Sequence, residues 1–346
     1  MVAASGTTWL ILTTAHSAED GRLQRHLQLI EGVGAKGSII AVRSGSPVQR
    51  MLTAPVTVWC ALKRARPDVV VLPDPELWLM GPLIARLLGV KSIIDVHEDY
   101  SAVARRREWI PRPLAAMVAL VARTVEAIGR RSAVATVVAA SDLARDGDVV
   151  LLNLPASIQD SEKPDSASPR MVYVGDVTAD RGLWEMLETV ADRPEFRLDV
   201  VGPVAESLLT EATRWLEDHD LTDRVQLHGR LSYKESWERA EGASVGLALL
   251  RSTPAYEAAT PTKIWEYMAR GIPVLSTPLP PAKRLLEMSE AGLTAATRGE
   301  RADAVLTLFD AGAEFSAKGR SYIASRAGET AEAFRNLVSQ LQFEDK

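Results

Sequence analysis

Twice along this chain, a series of short apolar runs rich in β-branched residues alternates with longer segments of helical character. The first series is TTWLILTT, GSIIAV, DVVVLP, SIIDV, ATVVAAS and VVLLN. The second is RMVYVGD, RLDVVG, RVQLHG, SVGLALL and PVLST, with a weaker sixth run at GLTAAT. Runs this short and this continuously apolar predict strands of a parallel sheet covered on both faces. Two α/β units in tandem follow, and 346 residues can bury two cores. Between the series lies PASIQDSEKPDSASPR, Pro155 to Arg170, rich in Pro, Ser and Asp and without apolar periodicity, which is the composition of a solvated linker. We expect a first domain over 1–155, a linker over 156–169, a second domain over 170–330, and a closing helix over 331–346 whose expected resting place is the first domain.

Open α/β sheets hold ligands beyond the carboxyl ends of their strands, so function is to be sought there, in a cleft between the two units. Two motifs point elsewhere. GVGAKG, at Gly32, Gly34 and Gly37, has dinucleotide spacing but follows a helical segment and precedes a strand, the reverse of the order that fingerprint needs; it reads as a helix-to-strand turn. DGD, at Asp146 to Asp148, resembles a metal-binding carboxylate pair, yet it sits in a short polar stretch before VVLLN and reads as a turn. No metal and no other cofactor is expected.

A formal net charge of -5 supplies no overall attraction to nucleic acid, which is excluded as a partner. The single cysteine, Cys60, rules out an intrachain disulfide and a thiolate metal cluster and fits a reducing compartment, so a cytoplasmic location is expected. The N-terminal apolar stretch has no positive charge before it and reads as a first buried strand. No stretch approaches the roughly 20 apolar residues of a membrane span.

In ATPTKIWEYMARGIPVLST, Thr260 is the expected N-cap, with Pro261 in the first helical position. Ile264, Trp265 and Met268 are expected against the core, with Lys263, Glu266 and Arg270 sharing another face. Gly271 ends the helix and a strand follows. On periodicity alone this is an ordinary amphipathic helix with an intrahelical charge pair. The stretch PTKIWEYMARGIPVLST also resembles the carboxylate-bearing donor motif of the family 4 retaining glycosyltransferases. That resemblance implies the GT-B fold, two Rossmann-like domains facing each other across a deep cleft. In that family the helix starts below the nucleotide diphosphate, and a glutamate within it accepts hydrogen bonds from the ribose hydroxyls. Glu266 takes that position here, with Thr262 and Lys263 at the helix start beside the diphosphate. The family has another glutamate, eight positions earlier, on the donor sugar. Ala258 stands there in this chain, so either Glu257 substitutes through a register shift or the sugar is bound differently.

Three further segments carry the resemblance, which runs from about Thr7 to Pro280. RMVYVGDVTADRGLWEMLETV is similar to the family's glycine loop, whose two cations bind the diphosphate; Gly175 and Arg181 match it, while Asp176 occupies the place of the first cation. SIIDVHEDYSAV crowds Asp95, His97, Glu98 and Asp99 at a strand end, and it resembles the loop whose histidine touches the donor sugar near the reacting carbon, a position matched by His97. VQLHGRLSYKES resembles the strand and turn that hold the nucleotide base through backbone near Arg230 and Leu231. Asp74 to Glu76 is expected to face the same cleft, and HSAEDGRLQRHL resembles the first acceptor-side loop and helix.

The resemblance therefore implies a metal-independent transferase that moves a sugar from a UDP- or GDP-sugar to a hydroxyl acceptor, lipid-linked acceptors included, in glycan, polysaccharide or glycolipid synthesis. The alternative is a catalytically silent sugar-nucleotide-binding subunit partnering an active transferase. A separate expectation concerns 105–131. There Leu114, Met117, Val118, Val121, Val125 and Ile128 form one helical stripe, Arg112, Arg123 and Arg130 lie opposite, and Arg105 to Arg107 with Trp109 lead in. This helix either rests on anionic lipid as a peripheral contact or packs on the sheet with a solvated basic face.

Overall fold

The computed structural model describes residues 6–42, 45–106, 112–155, 169–253, 256–257 and 261–341. All twelve expected runs are strands, arranged in two six-stranded parallel sheets. Chain contacts divide the molecule into one unit of residues 1–156 and 326–346 and another of residues 157–325. Of the expected linker only position 169 lies within the described residues.

The first unit contains β1 (Thr8–Thr13), α1 (Gly21–Gly32), β2 (Lys36–Ala41), α2 (Pro47–Ala65), β3 (Val69–Leu72), α3 (Pro75–Trp78), α4 (Gly81–Leu87), β4 (Lys91–Val96), α5 (Tyr100–Arg106), α6 (Arg112–Ser132), β5 (Ala135–Val138) and β6 (Val149–Val150). Its sheet runs β2-β1-β3-β4-β5-β6. The strands are apolar on both sides because both sides are covered. Trp9, Ile11, Val69, Val71 and Ile93 face α1 and the end of the last helix through Leu23, Ile30, Phe334 and Val338. Leu10, Leu12, Val70, Leu72 and Ile94 face the opposite layer through Ala54, Val58, Trp78, Ala85 and Val125. GVGAKG runs out of α1 into β2 with Gly34 at φ +79, and Asp148 of DGD accepts from the Arg145 amide and pairs with Arg130.

The second unit contains β7 (Arg170–Val174), α7 (Leu183–Ala191), β8 (Arg197–Val201), α8 (Glu206–Asp218), β9 (Val225–Gly229), α9 (Tyr233–Ala240), β10 (Val245–Ala248), α10 (Thr262–Ala269), β11 (Val274–Ser276), α11 (Pro280–Ser289), β12 (Gly292–Thr294) and α12 (Arg298–Asp310). The last helix, α13 (Gly312–Gln340), carries the chain from this unit back into the first. The sheet order is β12-β11-β10-β7-β8-β9. The order of strands therefore reverses between β7 and β10, the switch point where an open α/β sheet leaves a crevice at its carboxyl edge. Among the described residues no helix is long and apolar enough to cross a membrane.

Helix α6 packs on the first sheet through Val125 and, over the rest of its inner side, through small residues. Ala115, Ala119 and Gly129 are buried, while Leu114, Met117, Val118 and Val121 are exposed. The space on the inner side is taken by Trp78, whose indole nitrogen donates to the Leu72 carbonyl at 2.9 Å. A side chain at Gly129 would begin 2.8 Å from Trp78 Cβ and 3.3 Å from Ile94 Cδ1. Gly129→Ala therefore sets two effects against each other. Alanine gains about 1 kcal/mol of helix propensity, and overpacking against a fixed indole costs about 1–3 kcal/mol. We expect a net loss of stability, read as a lower urea midpoint with an unchanged slope; a raised midpoint would show that α6 moves freely over Trp78.

Candidate functional site

The switch-point crevice of the second unit collects most of the residues singled out in the sequence. Strand β7 ends at Val174 and the chain turns at Gly175 with φ +138, a conformation that L side chains rarely adopt. Below the turn, α10 delivers Lys263. Its Nζ lies 3.5 Å from the centroid of the Tyr173 ring and would be 3.3 Å from any Cβ at Gly175. The ammonium is buried and has no hydrogen-bond partner. Burial, and then the charge of Arg181, holds its pKa well below the ordinary 10.5. A buried ammonium with all its donors unspent, at the edge of a glycine turn, suits an anion.

Arg181 stands on the same loop, its guanidinium 3.6 Å from the Asp176 carboxylate. Burial lowers its basicity, but a hydrogen bond with Tyr256 and the nearby Tyr173 hydroxyl outweigh that and keep it charged. The Tyr173 hydroxyl in turn donates to the Asp176 carbonyl at 2.6 Å. Gly175, Arg181 and Lys263 thus form one cationic corner, with Asp176 folded onto it from outside.

Helix α10 differs in two ways from its sequence expectation. Its N-cap is Pro261 and its first residue Thr262, so the helix starts one residue late; Thr260 and Ala258 lie outside the described residues. Its burial is also rotated. Lys263 and Arg270 are buried, Tyr267 sits in the core beside Ile264 and Met268, and Trp265 is half-buried, stacked on Tyr322 at 6.1 Å. The C-terminus is as expected, since Gly271 at φ +63 lets its own amide reach the Met268 carbonyl and the Ile272 amide reach that of Tyr267.

One turn from Lys263, the Glu266 carboxylate is engaged on both oxygens. Oε1 accepts from the Tyr233 hydroxyl at 2.9 Å and Oε2 from Arg270 at 2.5 Å. Arg270 lies over the Trp237 ring at 4.2 Å, which fixes its fork. Tyr233 opens α9, directly after the capping box of Ser232 and Glu235, and its ring is exposed. Arg230 and Leu231 precede it after β9, Arg230 exposed and Leu231 half-buried. Thr262 is exposed, and Glu257, also exposed, accepts from the Ser252 hydroxyl on its own loop.

His97 belongs to the other unit, just beyond β4. Its imidazole lies 2.7 Å from the Tyr100 hydroxyl at Nε2, with the His16 ring edge-on at 5.8 Å. Burial, reinforced by the Arg22 charge, lowers its pKa to about 4, so it is neutral near pH 7. The acidic crowd around it separates into different tasks. Asp95 is buried 3.5 Å from Arg22 and 3.6 Å from His26. Asp99 accepts from the Ala102 amide and the Ser101 hydroxyl at the start of α5. Asp74 is fully buried and accepts from Thr13, Thr14 and Ala15, while Glu76 takes Arg50 at 2.6 Å and Thr14 at 3.0 Å. Those two carboxylates hold the loop after β1 in shape.

Sequence reasoning missed Tyr173, Tyr233, Tyr256 and Tyr100. One signal was present: the pattern Ser232-x-x-Glu235 fixes the start of α9 and so places Tyr233 at its first position.

Residues 156–314, which fall almost wholly in the second unit, match the family model of glycosyl transferases group 1. No curated protein matches the chain by sequence. Solved structures match along almost its whole length. Anabaena HepE in complex with UDP and glucose superposes with a TM-score of 0.65 at 12% identity, covering 97% of this chain and 99% of that one. A glycosyltransferase from Rickettsia africae gives 0.66 at 12%, covering 97% and 98%. Sucrose-phosphate synthase from Thermosynechococcus elongatus gives 0.64 at 13%, covering 96% and 99%. At such identities the likeness shows the fold, the two-domain α/β architecture of GT-B glycosyltransferases.

The unspent ammonium has a consequence for stability. In the unfolded chain Lys263 is protonated and hydrated up to the ordinary 10.5, whereas the folded site disfavours the proton, so the native state is penalised at every pH below that value. Lys263→Met removes the charge and keeps the volume. It is expected to raise stability by about 1 kcal/mol or more at neutral pH, with the gain shrinking as pH rises toward 10.5. Urea unfolding at two pH values checks this, and a loss of stability would mean that the ammonium has a partner in solution.

Proposed function

We propose that the chain is a retaining, metal-independent glycosyltransferase that moves a sugar from a UDP- or GDP-sugar to a hydroxyl acceptor, lipid-linked acceptors included, in the synthesis of a glycan, polysaccharide or glycolipid. The observation that carries this reading is the buried, unpartnered Lys263 ammonium beside Gly175 and Arg181, inside the segment that matches glycosyl transferases group 1. Structures of the similar Anabaena HepE hold UDP and UDP-glucose, which supports a nucleotide diphosphate as the anion.

In this reading the diphosphate enters over Gly175, takes hydrogen bonds from Lys263, and draws Arg181 away from Asp176. Phosphate oxygens offer more charge to a guanidinium fork than an exposed carboxylate 3.6 Å away. Thr262 and the first amides of α10 add donors and the positive end of the helix dipole. As the glycosidic bond breaks, charge builds on the leaving diphosphate, and these fixed cations stabilise it. Glu266 takes the ribose diol by exchanging the Tyr233 hydroxyl for a sugar hydroxyl, while Arg270 keeps its other oxygen in place. The nucleotide base lies along Arg230 and Leu231, and Glu257 meets the donor sugar. His97, neutral near pH 7, contacts a sugar hydroxyl as a hydrogen-bonding group. The leaving phosphate assists deprotonation of the acceptor on the same face of the sugar, which preserves the anomeric configuration.

One observation favours a second reading. Asp176 already neutralises Arg181, as expected of a silent subunit that binds sugar nucleotides without turning them over.

Time-dependent release of free nucleotide from a panel of UDP- and GDP-sugars, with hydroxyl acceptors present, separates the two. Release from at least one donor is expected; binding of several without turnover would leave only the silent subunit. Arg181→Ala should weaken nucleotide binding and turnover together, by about tenfold or more. His97→Ala should cut turnover by about a hundredfold and leave nucleotide binding unchanged. In the intact protein, turnover should show no His97 titration until pH falls toward about 4. Unchanged turnover in His97→Ala would remove that residue from the site.

A further inference from the structure

Helices α2, α4 and α6 lie side by side on one face of the first sheet, α2 against α4 and α4 against α6. All three turn large apolar side chains to solvent. On α2 these are Val48, Met51, Leu52, Val56 and Trp59; just before and within α4, Leu79, Met80, Leu83 and Leu87; on α6, Leu114, Met117, Val118, Leu120 and Val121. Leu52, Leu87 and Leu120 are exposed to 75%, 74% and 64%, and each comes from a different helix. Scattered exposed apolar residues are ordinary, whereas this many gathered on three neighbouring helices mark an interaction surface.

Charge selects the occupant. Helices α2 and α4 hold no acidic residue, and the one on α6, Glu126, is buried in ion pairs with Arg130 and Arg145. Exposed cations stand on the same helices: Lys63 and Arg64 at the end of α2, Arg86 on α4, and Arg123 and Arg131 on α6. Lys63 lies over the exposed Trp59 ring at 5.2 Å, an aromatic and an ammonium held together at the rim. In a chain of net charge -5, three adjacent helices that present cations and no exposed carboxylate are electrostatically matched to a negative surface.

We infer that this three-helix face docks on an anionic lipid surface, its leucines and Trp59 entering the headgroup boundary and its arginines and lysines meeting lipid phosphates. Helix α6 does pack on the sheet, through Ala115, Ala119, Val125 and Gly129, yet Leu114, Met117, Val118 and Val121 of its stripe are exposed, and of the arginines opposite, Arg123 is exposed while Arg130 pairs with Glu126 and Asp148. Arg107 and Trp109 of that stretch lie outside the described residues. The inference concerns the first unit alone and stands whether or not the second unit turns over a sugar nucleotide.

The test is co-sedimentation of the full chain with vesicles of phosphatidylcholine mixed with phosphatidylglycerol, and with vesicles of phosphatidylcholine alone. Binding to the mixed vesicles should exceed binding to the neutral ones by about tenfold or more at low salt and weaken as salt rises. The triple variant Leu52→Glu, Leu87→Glu, Leu120→Glu changes only exposed positions. It should keep the wild-type unfolding midpoint and lose at least about tenfold in binding to the mixed vesicles. Failure of the wild type to sediment with mixed vesicles, or equal sedimentation of the triple variant, would overturn the inference. So would a lipid-free dimer that the triple variant converts to monomer, since the face would then belong to a second copy of the chain.

Discussion

A single tyrosine hydroxyl fixes the geometry on which the second unit's site depends. Tyr267, at the centre of α10, accepts from the Val174 amide at 3.1 Å, and the Val172 and Leu247 carbonyls each lie 3.3 Å from its oxygen. Those carbonyls and that amide belong to β7 and β10, the neighbours between which the strand order reverses. The ring reaches them because β10 carries Gly246, where a Cβ would stand 2.6 Å from the ring. With Tyr267 pinned, the residue one turn earlier on the same face is Lys263, and helical geometry leaves it no place except under Gly175. The burial of the ammonium thus follows from packing two turns of helix against a particular pair of strands, and a conservative change at Gly246 would displace the cation without touching it.

The polar groups around the crevice differ in one respect that bears on how it works. Arg181 has Asp176, and Glu266 has Tyr233 and Arg270. Each holds an internal substitute for what a sugar nucleotide would offer, a carboxylate in place of phosphate and a phenol in place of a ribose hydroxyl. Affinity at those positions is a difference between two similar interactions and is small. Lys263 has no such substitute, only the face of Tyr173. An anion that reached Lys263 would meet hydrogen-bond donors that no described residue already occupies.

Much of this was legible in the residues. Continuous β-branched runs gave all twelve strands because both faces of a parallel sheet are dry, and Gly271 marked the end of α10 because a left-handed turn was needed there. What was not legible came from burying polar side chains. Residue type placed Lys263 and Arg270 on a wet face with Glu266, but α10 is covered nearly all round, and Arg270 tolerates burial by lying on Trp237 and pairing with Glu266. No periodicity records that Trp237, on another helix, is waiting for a guanidinium. The three carboxylates near His97 failed in the opposite sense. Proximity in sequence grouped them, whereas alternation along β4 and the helix start after it sent Asp95 inward and Asp99 to the amides of α5.

Helix α6 carries the same lesson further, since a hydrophobic stripe says that a helix has a preferred face without saying what the face meets. Trp78, with its indole nitrogen on the Leu72 carbonyl and its ring edge-on to Tyr100 at 5.5 Å, fills the layer where leucines of α6 would otherwise pack. Gly129 leaves no room there for a Cβ, and apart from Val125 the large side chains of the helix turn outward or lie at its margin. A fold that needed nothing more from this helix would be better served by polar residues at Leu114, Met117, Leu120 and Val121, which make the native surface stickier and add little to the core. Their presence alongside exposed leucines on α2 and α4, with no exposed acidic residue on any of the three helices, is the pattern of a surface that meets something outside the chain.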